Sequence, residues 1–444
     1  MKDENTRASQ ADIDPTVDSA AAAPAGVASA GGPGMTEPST EGGLFARNTV
    51  RVTLLSLGGW TLVNADNSLF NLNYPLIQDS LHISDAQIGY IYAIVYAIGA
   101  LSTFVAGPIM DRMGRKPVYQ ACLLAAVVGS ILTAGAPGLL ILIVARCFTQ
   151  IGASTEWMAG QVLVAEEAPA AVRGRLIGFA QIGYPLGFFL GSILSFLVVP
   201  LVGWRILFLF GVAPVALMLW ARRTVPESGR FRRLDDDKRH KAHFAQIFAP
   251  DLRRSSIAVT VWHLFYAFGF GAIVSFLPTV YSHYNISLDR VYLSSAIATG
   301  VAAFGFILCA YVGEMIGRRE ASAIWLTLGG ASGLYMSLGG TSWLTLTIGY
   351  SLIYFFVVGH ITSAVGFTAE VFPTRVRGTG ANLLAGVEWI GFFCAALIGP
   401  HMLNSMGVPT SLLIWLFICP IIAAAAAMSM RRVAPHTVLE EIAR

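Results

Sequence analysis

Residues 107–116 read Gly107-Pro108-Ile109-Met110-Asp111-Arg112-Met113-Gly114-Arg115-Lys116. Four charges crowd into the last six positions, and the chain is apolar on both sides, over 86–109 before them and 117–136 after them. Each flank is close to the ~20 apolar residues that cross a bilayer as a helix, so the stretch reads as a short polar connection between two membrane spans. The signature returns downstream. Gly317-Arg318 repeats Gly114-Arg115 at an offset of 203, with an acid three positions ahead in both places, Asp111 and Glu314. Pro169 with Arg173-Gly174 returns as Pro373 with Arg377-Gly378 at an offset of 204. Two independent matches at nearly one spacing point to a duplicated unit.

Breaks at charged or Pro/Gly-rich segments place twelve helices at about 51–78, 86–109, 117–136, 138–164, 174–200, 203–222, 255–282, 290–313, 321–338, 341–368, 378–403 and 408–430. The predicted fold is an all-α membrane protein of two pseudo-symmetric six-helix bundles. The bundles span 44–222 and 255–430, joined by a charged linker over 223–254. Residues 1–43 are mostly small and polar, too poor in large apolar groups to order themselves, and are expected to form a disordered tail; 431–444 form a second tail. No basic stretch with an apolar run follows Met1, so a cleaved signal peptide is not expected and the first span serves as an internal signal.

Composition supports this. Of 444 residues 55% are hydrophobic and 12% charged, about half the charged share of an ordinary soluble protein, which excludes a soluble two-domain chain. The five cysteines all lie in apolar runs without a CxxC pair, so neither disulfides nor a metal is expected. Orientation follows from basic residues. With the N-terminus inside, only Arg205 and Arg290 of 29 Lys and Arg fall in outer connections and Arg146 within a span, leaving 26 inside. Both ends are therefore expected in the cytoplasm, and the location is expected to be a bacterial inner membrane.

Residues 107–116 resemble the loop 2-3 signature GxxxDRxGRR of the major facilitator superfamily. Arg146-Cys147-Phe148-Thr149-Gln150-Ile151-Gly152 is similar to its helix 4 motif RxxQGxG, with the Gln one place later, and Pro226-Glu227-Ser228-Gly229-Arg230-Phe231 to its PESPRxL helix 6 end. Glu156-Trp157 followed by Ala165-Glu166-Glu167-Ala168-Pro169 resembles runs of metabolite:proton symporters, and Asp66 with Tyr74-Pro75-Leu76 those of aromatic-acid:proton symporters. Where the aromatic-acid branch has DGxD, this chain reads Asn64-Ala65-Asp66-Asn67. The resemblance covers about 50–430 and implies a transporter working by alternating access, with helices 1, 4, 7 and 10 lining a central cavity.

A charge at mid-span costs about 2.5–3.5 kcal/mol on insertion scales, so each needs a partner or a watery cavity. The candidates are Asp66, Arg146, Glu156, His263, His360 and Glu388. Asp66, Glu156 and Glu388 are the candidate proton-coupling carboxyls. Arg146, the only fixed cation within the spans, suits a substrate carboxylate through its planar fork. Arg146 and Glu156 stand ten residues apart, about 15 Å along one helix, and cannot pair with each other. His263 and His360 can hydrogen-bond or exchange protons. Trp157, Tyr184, Trp262, Tyr266, Tyr354 and Trp389 offer an apolar or aromatic lining.

The connections read as a gate. Asp111, Arg112, Gly114 and Arg115, with Glu314 and Arg318 in the repeat, stand at helix ends where ion pairs can hold one facing state; Glu166 with Arg173 and Glu370 with Arg377 are expected to do the same. No phosphate loop, metal cluster or nucleophile triad appears, so the chain is not expected to be an enzyme or to bind cofactors, metal or nucleic acid. The leading expectation is a monomeric, proton-coupled importer of a small organic acid. A proton-driven exporter of drugs or metabolites is the alternative, because Gly183-Tyr184-Pro185-Leu186-Gly187 partly resembles an antiporter motif. A sugar porter is disfavoured because Trp262-His263-Leu264-Phe265-Tyr266 lacks that branch's paired glutamines, and a non-transporting sensor because no soluble domain is present.

Overall fold

The structure, a computed structural model, describes residues 47–113, 115–168, 173–224, 247–372 and 377–432. Among these residues twelve helices follow one another as predicted. They are α1 (Arg47–Leu81), α2 (Asp85–Met113), α3 (Arg115–Ala134), α4 (Leu139–Glu167), α5 (173–202), α6 (204–224), α7 (Arg253–His283), α8 (Leu288–Ile316), α9 (Arg318–Leu338), α10 (343–371), α11 (Arg377–Met406) and α12 (408–428). Among the described residues nine stretches are long and apolar enough to cross a bilayer by themselves; one of them, Arg175–Leu217, holds α5 and the start of α6. The two that fall short have visible reasons. α1 carries Asn64, Asp66, Asn67, Asn71 and Asn73, and α9 opens on Arg318-Arg319-Glu320.

The duplication is visible in the backbone. Gly203 (φ 76°, ψ 174°) separates α5 from α6, and Gly407 (φ 77°, ψ 166°), 204 residues on, separates α11 from α12. The positive φ is nearly free for glycine and costly for any side chain, so both halves turn the same corner with the same residue. Pro75 in α1 is matched by Pro278 in α7, where the helix departs from helical geometry at Phe276. The packing repeats too: α1 lies along α5 as α7 lies along α11, and the halves meet along α2–α11 and α5–α8.

Close approach sets the α1–α5 seam. A Cβ on Gly187 would overlap the Thr61 carbonyl and come within 2.7 Å of Asn64 Cβ and 2.8 Å of Ala65 N; Gly183 and Gly191, one turn either side, face α1 as closely. Small residues at this spacing let two membrane helices pack backbone to backbone. Gly187→Val is expected to destabilise the protein by about 2–3 kcal/mol through overpacking, seen as a lower melting temperature in detergent; an unchanged melting temperature would count against this seam.

Candidate functional site

Between the halves lies a cavity whose wall is built by helical periodicity. Trp60, Asn64, Asn67 and Asn71 recur at i, i+4, i+7 and i+11 on α1, and Arg146, Gln150, Ala153 and Trp157 keep the same spacing on α4, so each set forms one face. α5 adds Gln181, Tyr184 and Phe188, α7 adds Tyr266, Phe270 and Val274, and α11 adds Ala385, Glu388, Trp389 and Phe392. α2 contributes Tyr92 and Tyr96, α8 Phe306, and α10 Val358 and Ile361. With Phe70 of α1, twelve of the lining residues are aromatic and five are amides; among the described residues Arg146 is the one cation of the wall and Glu388 the one carboxylate. Trp60 packs against Trp157 and Tyr184 at centroid distances of 6.2 and 6.3 Å, giving that side of the wall a continuous aromatic surface.

Arg146 and Asp66 meet across α4 and α1. Arg146 Nη1 donates to Asp66 Oδ2 at 2.6 Å and Nη2 to Asn67 Oδ1 at 3.2 Å, while Ser130 of α3 donates to Asp66 Oδ1. The guanidinium lies 4.5 Å from the Phe70 ring centroid. Both residues are buried, and Arg146 Nε finds no partner among the described residues. Asp66 sits behind Arg146, off the cavity wall, so the cation is presented to the cavity with its counter-ion at its back.

Glu156 precedes Trp157 by one residue, about 100° around the helix, and so points away from the cavity. It is fully buried, and its Oε1 and the Tyr119 hydroxyl of α3 converge over Gly59 of α1, where a Cβ would overlap both. The Tyr119 hydroxyl donates to the Leu55 carbonyl at 2.7 Å, and neither Glu156 oxygen has a hydrogen-bond partner among the described residues.

In the second half, His263 Nδ1–H donates to Glu388 Oε1 at 2.9 Å, joining α7 to α11. Trp262 stacks on His263 at 4.9 Å and lies 5.9 Å from His360, whose Nδ1–H donates to the Val357 carbonyl. Trp262 Nε1, His263 Nε2 and His360 Nε2 are all buried without partners among the described residues. Trp262, His263, Tyr354 and His360 were expected to touch substrate, but they form a second layer and do not border the cavity; Tyr266 and Glu388 stand in front. Helices α1, α4, α7 and α10 line the cavity as the resemblance implies, and α2, α5, α8 and α11 contribute beside them. A helix rotation of 100° per residue separates first layer from second, and helices apolar all round do not announce which side faces inward.

The cavity is roofed on the face away from the two ends of the described chain. Tyr292 donates to Asn73 Oδ1 at 2.6 Å, Ser192 and Ser295 bond at 2.8 Å, and Tyr96 bonds Ser275 at 2.9 Å. The Tyr74 hydroxyl bonds the Thr279 side chain and accepts from the Thr279 N–H at 3.1 Å. All four links tie one half to the other.

On the opposite face Arg318 Nη1 donates to Glu370 at 2.5 Å, passing over Gly366, so Glu370 is held by the α8–α9 corner as well as being a neighbour in sequence of Arg377. Burial raises the Glu370 carboxyl above its ordinary range and Arg318 opposes that. Glu314 is exposed. Gly114 lies outside the described residues, as do the side chains of Asp111, Arg112, Arg115, Glu166, Arg173 and Arg377, which make up the rest of the expected gate.

The profile of the Major Facilitator Superfamily matches residues 57–321, and that of the "Sugar (and other) transporter" family matches residues 234–442. The chain is 26% identical over 331 residues to a protein of Cupriavidus pinatubonensis described as a "probable 4-methylmuconolactone transporter", covering 72% of this chain and 76% of that one. It is 24% identical to the niacin transporter NiaP of Acinetobacter baylyi over 374 residues, covering 78% and 85%. Among solved structures, that of a D-xylose-proton symporter superposes with a TM-score of 0.71 at 17% identity, covering 86% of this chain and 97% of the other; this likeness concerns the fold alone.

Proposed function

This chain belongs to the major facilitator superfamily, and from that premise we propose that it imports a small organic acid together with a proton. It is a multi-pass membrane transporter and not an enzyme. The observation that carries the finer reading is Arg146 in the cavity wall, paired at its back with the buried Asp66. A substrate carboxylate entering against Arg146 would put two anions on one buried cation, leaving a net negative charge where desolvation makes it costly. A proton on Asp66 removes that conflict and frees the guanidinium fork for the substrate. Proton and monoanion then enter together, one for one, and the loaded site is neutral at this pair. Niacin and 4-methylmuconolactone, the compounds named for two relatives, are each small monocarboxylic acids, which agrees with a single cation in the wall. The aromatic lining suits a ring-bearing body, and the five amides suit its polar edge. Glu156, whose neighbour Trp157 faces the cavity, is a second proposed proton site reached through α4.

The face carrying both chain ends is proposed to be cytoplasmic in a bacterial inner membrane, since 26 of 29 Lys and Arg fall on that side or in the tails. The protein is proposed to work as a monomer, because the cavity lies between its own two halves. Uptake into proteoliposomes of mono- and dicarboxylates, aromatic acids and sugars under an imposed pH gradient tests the reading. Gradient-stimulated uptake of a monocarboxylate and not of sugars is the expected result; uptake of sugars alone would overturn it.

Arg318 and Glu370 bear on turnover. Glu370→Gln is expected to lower the maximal uptake rate several-fold with little change in KM, since the pair stands at the loop end of α10, away from the cavity. A large loss of affinity at normal rate would place the pair in binding instead.

A further inference from the structure

We infer that Asn67 is a second ligand of the substrate carboxylate, a neutral donor aimed by Arg146, and that it decides between an acid and its uncharged amide. This inference rests on the organic-acid reading above. A guanidinium only donates, so the atom of the Asn67 amide that takes Arg146 Nη2 at 3.2 Å is its oxygen. Nδ2 shares one carbon with that oxygen and therefore stands beside the fork, with no acceptor among the described residues and the cavity in front of it. The cation at the carbonyl end polarises the amide and strengthens its N–H groups as donors. Asp66 holds Arg146 from behind, at Nη1, so the side of the pair turned to the cavity is Nη2 together with Asn67. The Phe70 ring centroid lies 4.5 Å from the guanidinium and that of Phe208 6.0 Å, so an anion reaches the cation at its edge, next to Asn67.

Asn64 is turned the opposite way. Its Nδ2 donates at 2.7 Å to the Trp60 carbonyl, which only accepts, so Oδ1 is the atom left toward the cavity. One face of α1 thus offers a donor at Asn67 and an acceptor at Asn64, about 4.5 Å apart along the axis. A carboxylate is drawn to the first and repelled at the second, which gives the acid one register: carboxylate at Arg146 and Asn67, body against the Trp60–Trp157 surface. A primary amide of the same body fits this register badly. Its oxygen can take Arg146, but its NH2 group then meets the N–H of Asn67, donor against donor, and both are left unpaired. Selection of the anion therefore comes from a neutral side chain as well as from the cation.

Two acids and their amides test this: benzoate with benzamide and nicotinate with nicotinamide, titrated against the purified full-length protein. Wild type is expected to prefer each acid over its amide by about tenfold or more. Asn67→Asp keeps the size and the oxygen that holds Arg146 and exchanges the donor for an acceptor, so the order is expected to invert. Acid affinity should fall about tenfold or more, and amide affinity should rise about tenfold, because the amide NH2 now donates to a carboxylate while its oxygen takes Arg146. A residue that only held Arg146 in place would do so at least as well as Asp and would leave the amide affinities where they were. Asn67→Ala removes the donor outright and is expected to weaken both acids about tenfold with the amides within about twofold of wild type; it carries the test if the melting temperature shows that Asn67→Asp does not fold. Undiminished acid affinity in Asn67→Ala, or a folded Asn67→Asp that gains nothing for the amides, overturns the inference while leaving acid transport standing. A wild type that binds neither acid, or favours the amides, overturns the organic-acid reading itself, and the inference with it.

Discussion

Asp66→Asn is expected to abolish accumulation driven by a pH gradient while the protein still inserts and folds. Asparagine keeps the shape of the carboxyl and its contacts with Ser130 and Arg146 but holds no exchangeable charge, so the pair is locked in the state that a proton would otherwise create. With one proton moved per monoanion, an inward gradient of one pH unit supports about tenfold accumulation, and the variant should fall to the level reached without a gradient. Binding and substrate exchange across the membrane should persist, because Arg146 remains in the wall. This combination, exchange without concentration, separates a coupling residue from a structural one. Full gradient-driven accumulation by Asp66→Asn removes Asp66 from the coupling mechanism.

Arg146 carries the second large effect. Arg146→Lys keeps a charge and loses the planar fork that serves Asp66, Asn67 and a substrate carboxylate at once, so acid affinity should fall about tenfold. Arg146→Gln loses both, and truncating one partner of a buried charge pair costs about 2–5 kcal/mol, which is a loss of roughly 30-fold or more. Since Asp66 would then be an unpaired buried charge, the double variant Asp66→Asn/Arg146→Gln checks that the loss is one of binding. It should recover stability without recovering acid affinity. Neutral amide analogues should bind poorly to wild type and variants alike. Normal acid binding by Arg146→Gln would refute the organic-acid assignment and turn attention to Asp66 and Glu156 as substrate contacts.

Some residues of the candidate site stand out along the chain, and their arrangement does not. Asp66, Arg146 and Glu388 stood out because a charge inside an apolar span is costly and therefore rare. That Asp66 and Arg146 pair could not be read from positions 80 residues apart. Trp60, Asn71, Tyr92, Tyr96, Gln181 and Phe270 border the cavity without having been singled out. The spacing of Trp60, Asn64, Asn67 and Asn71 was the one signal available for them, a polar stripe at helical period on an otherwise apolar span. For the aromatics no such signal existed, because in a membrane helix an aromatic facing lipid, a neighbour or a cavity leaves the same mark in the chain.

The sequence by itself determined the number of spans, the duplication and the family, since each depends on features local along the chain: apolar length against bilayer thickness, charge at the connections and motifs at a fixed offset. Tertiary structure decided what faces what. Helix rotation put Trp157 in the cavity and Glu156 beside Tyr119 one residue away, and drew Trp262, His263 and His360 behind Tyr266. It also brought α11 into the wall, so that Glu388 meets the cavity with His263 at its back. The reason is that orientation about a helix axis is set by packing between helices, and lipid, being as apolar as the side chains it meets, imposes no preference of its own.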